Sequence, residues 1–179
     1  MTAEGARPLF EIPAGTSVFL DSTIFLYHFT GASPSCRDLL SQCEAGRLHA
    51  LTSTVAVAEV THRLMTIEAV ARGLVTPGNV VKKLRERPEI VRRLSLYQEQ
   101  AEKIPWMGVE VAPLDRRLLA IAAPLRMRYG LLTNDSILLA TALDHGIAAF
   151  ASADRDFERV ETVQLFRPED LEGAGIETS

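Results

Sequence analysis

Apolar residues fall into two patterns along this chain. Short runs set apolar side chains side by side, as in residues 17–21 (SVFLD) and 147–152 (IAAFAS). Such runs predict strands covered on both faces, the arrangement of a parallel sheet. Residues 48–51, 108–111 and 162–166 are further strand candidates. Between them lie longer stretches with apolar positions every three to four residues, which predict helices. A loop running into a short helix is expected over 22–29. A helix over 35–45 carries Cys36, Leu39, Leu40 and Cys43 on one face and stops at Gly46. A third begins at the cap Ser53 or Thr54 and reaches about Arg72, with Val57, Val60, Leu64, Ile67 and Ala71 as its stripe. Residues 76–103 predict one or two helices interrupted near Pro88. Residues 114–128 predict a helix with Leu118, Leu119, Ala122 and Leu125 inward, which Pro124 bends or ends early. The last helix starts at Asn134 or Asp135 and runs to His145. Strands alternating with helices indicate an α/β domain around a mostly parallel sheet of about five strands.

Length and composition fit one domain. The chain has 179 residues, 47% of them hydrophobic, enough for one core. Residues 17–168 are read as that domain, 1–16 as an N-terminal arm and 169–179 as a frayed tail. No apolar run approaches the roughly 20 residues of a membrane span. The first residues lack the basic-then-apolar order of a secretory signal. A net charge of −4 argues against coating nucleic acid through a global field, though not against local basic walls. Cys36 and Cys43 read as small buried hydrophobes without metal-site companions, consistent with a reducing, cytoplasmic setting.

The chemistry lies in carboxylates. Asp21 closes the first strand, and ligands of open α/β sheets sit beyond strand carboxyl ends; Asp21 also suits a helix cap. Asp154 and Asp156 follow the strand at 147–152, where an acid also forms turns. Parallel neighbours would bring that end beside Asp21. Asp135 opens an apolar helix, a place the helix dipole also favours for an acid. Glu59 lies inside VAVAEV, costly unless paired or metal-bound; an exposed pair with Arg63 is the other reading. Together, all can face one edge of one sheet. Crowded carboxylates repel, and hard oxygen donors select Mg2+ or Mn2+ over zinc. Metal-assisted phosphodiester hydrolysis is the reaction implied. His28, His49, His62 and His145 lack mutual ligand spacing.

Four segments, VFLDSTIFLYHF, LTSTVAVAEV, YGLLTNDSILLATALDHG and ASADRDFERV, resemble in sequence and order the PIN-domain ribonucleases. The likeness is strongest to the toxin component of bacterial VapBC-type toxin–antitoxin pairs. It implies a three-layer α/β/α sandwich and an Mg2+- or Mn2+-dependent endoribonuclease. It places Asp21, Glu59, Asp135 and Asp154 as the acidic quartet, with Asp156 a further metal ligand or water-holding acid. Thr23 and Ser152 would support the site by hydrogen bonding. A homodimer and a cognate antitoxin are the partners implied. Two features depart from the pattern: 20 residues precede the first Asp, and the middle region around 73–107 is long.

An acidic centre needs basic walls to receive RNA. Lys82, Lys83 and Arg85 are the first candidates, then Arg87, Arg92 and Arg93, with Arg116, Arg117, Arg126 and Arg128 as a second set; a solvated helix face is the alternative for each. Rival enzyme classes fit less well. A haloacid-dehalogenase-like phosphatase needs a second Asp where Thr23 stands, and a receiver domain needs a Lys after a late strand. A structure-specific DNA nuclease would share the metal chemistry. A non-catalytic scaffold of the same fold would be expected to have lost acids.

Overall fold

The computed structural model describes residues 5–171. Its strands are β1 (Arg7–Pro8), β2 (Ser17–Leu20), β3 (His49–Ser53), β4 (Val109–Ala112), β5 (Ala149–Ala151) and β6 (Gln164–Arg167). They form one sheet in the order β1–β6–β5–β2–β3–β4, and every neighbouring pair is parallel. From β2 the chain winds outward through β3 to β4, then crosses to the other side for β5 and β6. The order therefore reverses between β2 and β5, where Leu20 pairs with Ala151. A crevice opens at such a reversal, because the connections leave in opposite directions.

Helices cover both faces. They are α1 (Ser22–Phe29), α2 (Pro34–Glu44), α3 (Thr54–Ala71), α4 (Val80–Glu86), α5 (Pro88–Val91), α6 (Leu96–Ala101), α7 (Arg116–Tyr129) and α8 (Thr133–Asp144). Alternation along β2 separates two cores. Val18 and Leu20 pack with Ile24 and Phe25 of α1, Leu39 and Leu40 of α2, and Val60 and Leu64 of α3. Phe19 points the other way, onto Leu138 and Leu139 of α8. Its ring stacks on Phe150 with centroids 5.1 Å apart, and Phe150 meets Phe157 at 4.4 Å. The three-layer sandwich with a parallel sheet is thus present, with six strands. Among the described residues, no helix is long and apolar enough to cross a membrane.

Local sequence explains the main boundaries. Ser33 caps α2 by accepting from the Cys36 amide at 3.1 Å, with Pro34 in the first turn. Ser53 caps α3 in the same way, accepting from Ala56 at 3.2 Å. Gly108 takes a left-handed φ of 71°, and a β-carbon there would collide with the Cys43 carbonyl at the end of α2. Burial pushes the Cys36 thiol up to about 12 and the Cys43 thiol up to about 11, so both stay protonated.

Several expectations are corrected. No loop precedes α1, which starts directly after Asp21. The stretch 76–103 forms three short helices. Pro124 sits inside α7 without ending it; Pro124 and Ala120, whose carbonyl loses its partner, both face solvent. Leu119 on α7 is 46% exposed. Part of the assumed arm forms β1, beside β6. Residues 169–171 of the assumed tail form a 3-10 turn, and Asp170 accepts from the Ser33 hydroxyl at 2.7 Å. Residues 1–4 and 172–179 lie outside the described residues.

The largest correction is on α3. Ile67 is exposed, and Ala71 is too, whereas Glu68 is buried. The Glu68 carboxylate accepts from the amides of Ser95 at 3.2 Å and Tyr97 at 2.9 Å, and pairs with Arg72 at 2.9 Å. It clamps the long middle region, whose own small core includes Ala69, Leu84, Ile90 and Leu94. These donors hold the Glu68 carboxyl below its ordinary pKa although burial opposes them. A lowered folded-state pKa stabilises above the unfolded value and is lost as pH falls through the range beneath it. Glu68→Ala should therefore lower stability by on the order of 3 kcal/mol at pH 7. Urea unfolding should show that gap narrowing below about pH 4; a pH-independent gap would rule out the clamp's charge as its source.

Candidate active site

Asp21 is the first residue after β2, and it is only 3% exposed. Its amide donates to the Ala151 carbonyl at 3.0 Å, extending the β2–β5 ladder by one step. Its Oδ1 accepts from the Ser22 amide at 2.6 Å and so caps α1. Its Oδ2 accepts from the hydroxyls of Thr23 at 2.7 Å and Ser152 at 2.6 Å. The cap reading thus holds for Oδ1, while Oδ2 takes the two hydroxyls. Burial raises the Asp21 carboxyl above its ordinary pKa, and the Ser152, Thr23 and Ser22 donors pull it back.

The Ser152 and Thr23 hydroxyls carry the arrangement onward. The Asp154 amide donates to Ser152 Oγ at 3.0 Å, and the Ala153 amide donates to Thr23 Oγ1 at 3.0 Å. The strand-end loop after β5 is thereby tied to the start of α1. Asp154 Oδ1 then accepts from the Asp156 amide at 2.8 Å and opens the 3-10 turn Arg155–Arg159.

Asp135 enters from α8. The helix begins at Thr133 with Leu132 as its uncapped flank, so Asp135 lies in the first turn and is not the cap. Single carboxylate oxygens of Asp135, Asp154 and Asp156 lie within 4.8 Å of one another. Burial, and then the charges of Asp21, Asp154, Glu59 and Asp156, push the Asp135 carboxyl up to about 6. Glu59, on the second turn of α3, is half-buried rather than a solvated surface acid. Burial and the charge of Asp21 raise it, while Arg63 and the Ser22 hydroxyl partly offset them. The fold therefore places Asp21, Glu59, Asp154 and Asp156 within electrostatic reach of Asp135 at the β2–β5 crevice, with Asp154 and Asp156 near enough to share an ion with it. The donors are all hard oxygens, and their mutual repulsion is what a small divalent cation relieves. That donor set fits Mg2+ or Mn2+.

The basic candidates are distributed differently. Lys82, Lys83 and Arg85 stand on α4, which packs with the Ala69 end of α3, on the order of 15 Å along the helix from Glu59. Lys83 donates to the Thr76 carbonyl at 2.9 Å and the Thr76 hydroxyl at 2.8 Å, bracing the turn before α4. Lys82 approaches Glu86 at 3.9 Å, and Arg85 is exposed. Of the second set, Arg117 pairs with Asp144, Arg128 with Glu161 at 3.7 Å, and Arg126 donates to Ser136 Oγ at 3.1 Å. Basic groups bordering the acids came from elsewhere. Arg159 meets Asp156 at 3.2 Å, and Arg63 influences Glu59 from the next turn of α3. Both follow an acid by three or four residues, a helical spacing that sequence analysis can use.

Comparison with known proteins places this geometry. The family model described as PIN domain matches residues 18–163. Ribonuclease VapC6 of Methanocaldococcus jannaschii is 25% identical over 156 residues, covering 85% of this chain and 97% of that protein. A toxin-antitoxin complex from Klebsiella pneumoniae shares the fold with a TM-score of 0.51 at 20% identity, over 82% of this chain and 94% of the other. VapBC2 from Rickettsia felis, bound to a DNA fragment from its promoter, aligns with a TM-score of 0.54 at 14% identity, over 85% and 98%.

Asp135 gives a pH test. Its raised folded-state pKa means that the folded protein holds a proton the unfolded chain has released between about pH 4 and 6. Stability accordingly falls as pH rises through that window, and the deficit is complete above it. In EDTA at pH 8, Asp135→Asn should be more stable than the wild type, by about 1 kcal/mol once solvent screening is allowed for. Thermal unfolding should show this advantage disappearing towards pH 4. A wild type more stable than the variant at pH 8 would contradict the repulsion described.

Proposed function

The chain belongs to the PIN-domain family, and we propose that it is a divalent-metal-dependent endoribonuclease, the toxin of a toxin–antitoxin pair. The observation that carries this reading is the convergence of five acids from β2, α3, α8 and the β5–β6 loop on one crevice. The relation to a ribonuclease over nearly its full length, and the likeness to toxin-antitoxin complexes, support it.

In this reading Asp135, Asp154 and Asp156 hold Mg2+ or Mn2+ beside Asp21 and Glu59. When bound, the cation supplies charge neutralisation for the phosphodiester and acidifies a water. Thr23 and Ser152 act on Asp21 as positioning residues: two short hydrogen bonds to one oxygen restrict its rotamer and favour its charged form against the opposing effect of burial. Glu59, raised by burial and by Asp21, is suited to hold or pass a proton at the attacking water. Arg63 and Arg159 stand where the phosphates of a short RNA would pass. Lys82, Lys83 and Arg85 could reach only a longer one. In the same reading the chain forms a homodimer that acts on cytoplasmic RNA, and a cognate antitoxin inhibits it.

Purified protein should cut mixed RNA in Mg2+ or Mn2+ and lose the activity in EDTA. Asp21→Asn and Asp135→Asn should each lower the rate at least about 100-fold with the fold intact by circular dichroism. The reading fails if the wild type is inactive with either metal, or if Asp21→Asn cuts as fast as the wild type.

A further inference from the structure

Beside the acids lies an open groove of about 510 Å3. Its floor is the first part of α3, where Val55, Ala58 and His62 recur at helical spacing with Glu59 next to them. Its walls are Leu114, on the loop between β4 and α7, and Asn134, in the first turn of α8. The wall is fixed to the floor, because the Leu114 amide donates to the Thr54 hydroxyl at 3.0 Å. Leu114 is nonetheless 38% exposed, a large apolar side chain held towards solvent.

We propose that this groove receives one unpaired base of the RNA strand, the one adjoining the phosphate to be cut. The inference rests on the nuclease reading above and adds to it a base-contacting subsite. A base has apolar faces and polar edges, and the groove offers both in suitable places. Val55, Ala58 and Leu114 can desolvate the faces, and the His62 imidazole is a stacking surface. The Asn134 amide carries donors and an acceptor, so it can meet a base edge. The volume is within the roughly 300–1,000 Å3 typical of small-ligand pockets. Glu59 belongs to both the groove and the acid cluster, and Asn134 adjoins Asp135 in sequence. A base seated here therefore brings its own phosphate to the acids without a gap. A duplex cannot enter in this way, because its bases are stacked and paired. The subsite selects single-stranded RNA and biases the choice of nucleotide at one position flanking the cut.

The test uses short single-stranded RNA with an abasic residue placed in turn at each position around a mapped cut. In the wild type, loss of the base at one flanking position should lower kcat/KM roughly 5- to 100-fold, the range for one stacked base. In the combined variant H62A/L114A/N134A, the same abasic RNA should be cut about as well as the intact RNA. A variant that keeps the wild-type abasic penalty, or a wild type indifferent to every abasic position, overturns the subsite and leaves the nuclease reading standing. Binding of the same RNAs is followed by fluorescence anisotropy with Ca2+ in place of Mg2+. Abasic-sensitive binding that the variant loses, in a protein that never cuts, would retain the subsite and overturn the nuclease reading. Equal affinity of wild type and variant for intact and abasic RNA would overturn the subsite without reference to cleavage.

Discussion

A carboxyl group taken almost wholly out of water is the constraint around which this structure is arranged. Asp21 is accommodated there because donors surround it: the Ser22 amide and the Thr23 hydroxyl from its own helix, and the Ser152 hydroxyl from across the sheet. Burial disfavours the charged form of this group, and each of these donors works in the opposite direction. Ser152 reaches Asp21 only if β5 lies beside β2 in the observed register. The pairing of β2 with β5 and the electrostatics of the site are therefore one problem with one solution. The topology supplies that solution by reversing strand order between these two strands.

The acids around Asp21 work against stability. Asp135 is pushed up by burial and by four neighbouring carboxylates, and Glu59 is raised chiefly by burial and by Asp21. Such crowding persists in a fold only when other contacts outweigh it. Here the compensation is the dry packing on both faces of β2 and β5, with the Phe19, Phe150 and Phe157 rings directly beneath the strand ends. The close-packed apolar layer below supports the crowded, charged layer above. The middle region is held separately, by Glu68 and its own apolar cluster, so its length does not disturb the crevice.

Much of this was legible in the residue order, for physical reasons. Contiguous apolar runs marked β2 and β5 because both faces of a parallel strand are covered, and acids directly after them marked the crevice. Helical period placed Glu59 and Asp135 near the same rim. What escaped depends on tertiary context. Ile67 and Glu68 are neighbours on α3, and hydropathy alone put the wrong one inside; only the amides of Ser95 and Tyr97, far along the chain, make Glu68 the buried residue. Arg7–Pro8 carries no strand signal, since a two-residue edge strand needs only β6 beside it. The groove along α3 carries no sequence signal, because its floor is completed by Leu114 and Asn134, which come from other elements.

The central claim is that acids separated along the chain form a single cation pocket, and crystallography with Mn2+ tests it most directly. Anomalous scattering should place an ion about 2.1 Å from oxygens of Asp135, Asp154 and Asp156, on the side facing Asp21. Crystals soaked at millimolar Mn2+ that show no such peak, or show the ion bound elsewhere while these carboxylates face solvent, would contradict the account.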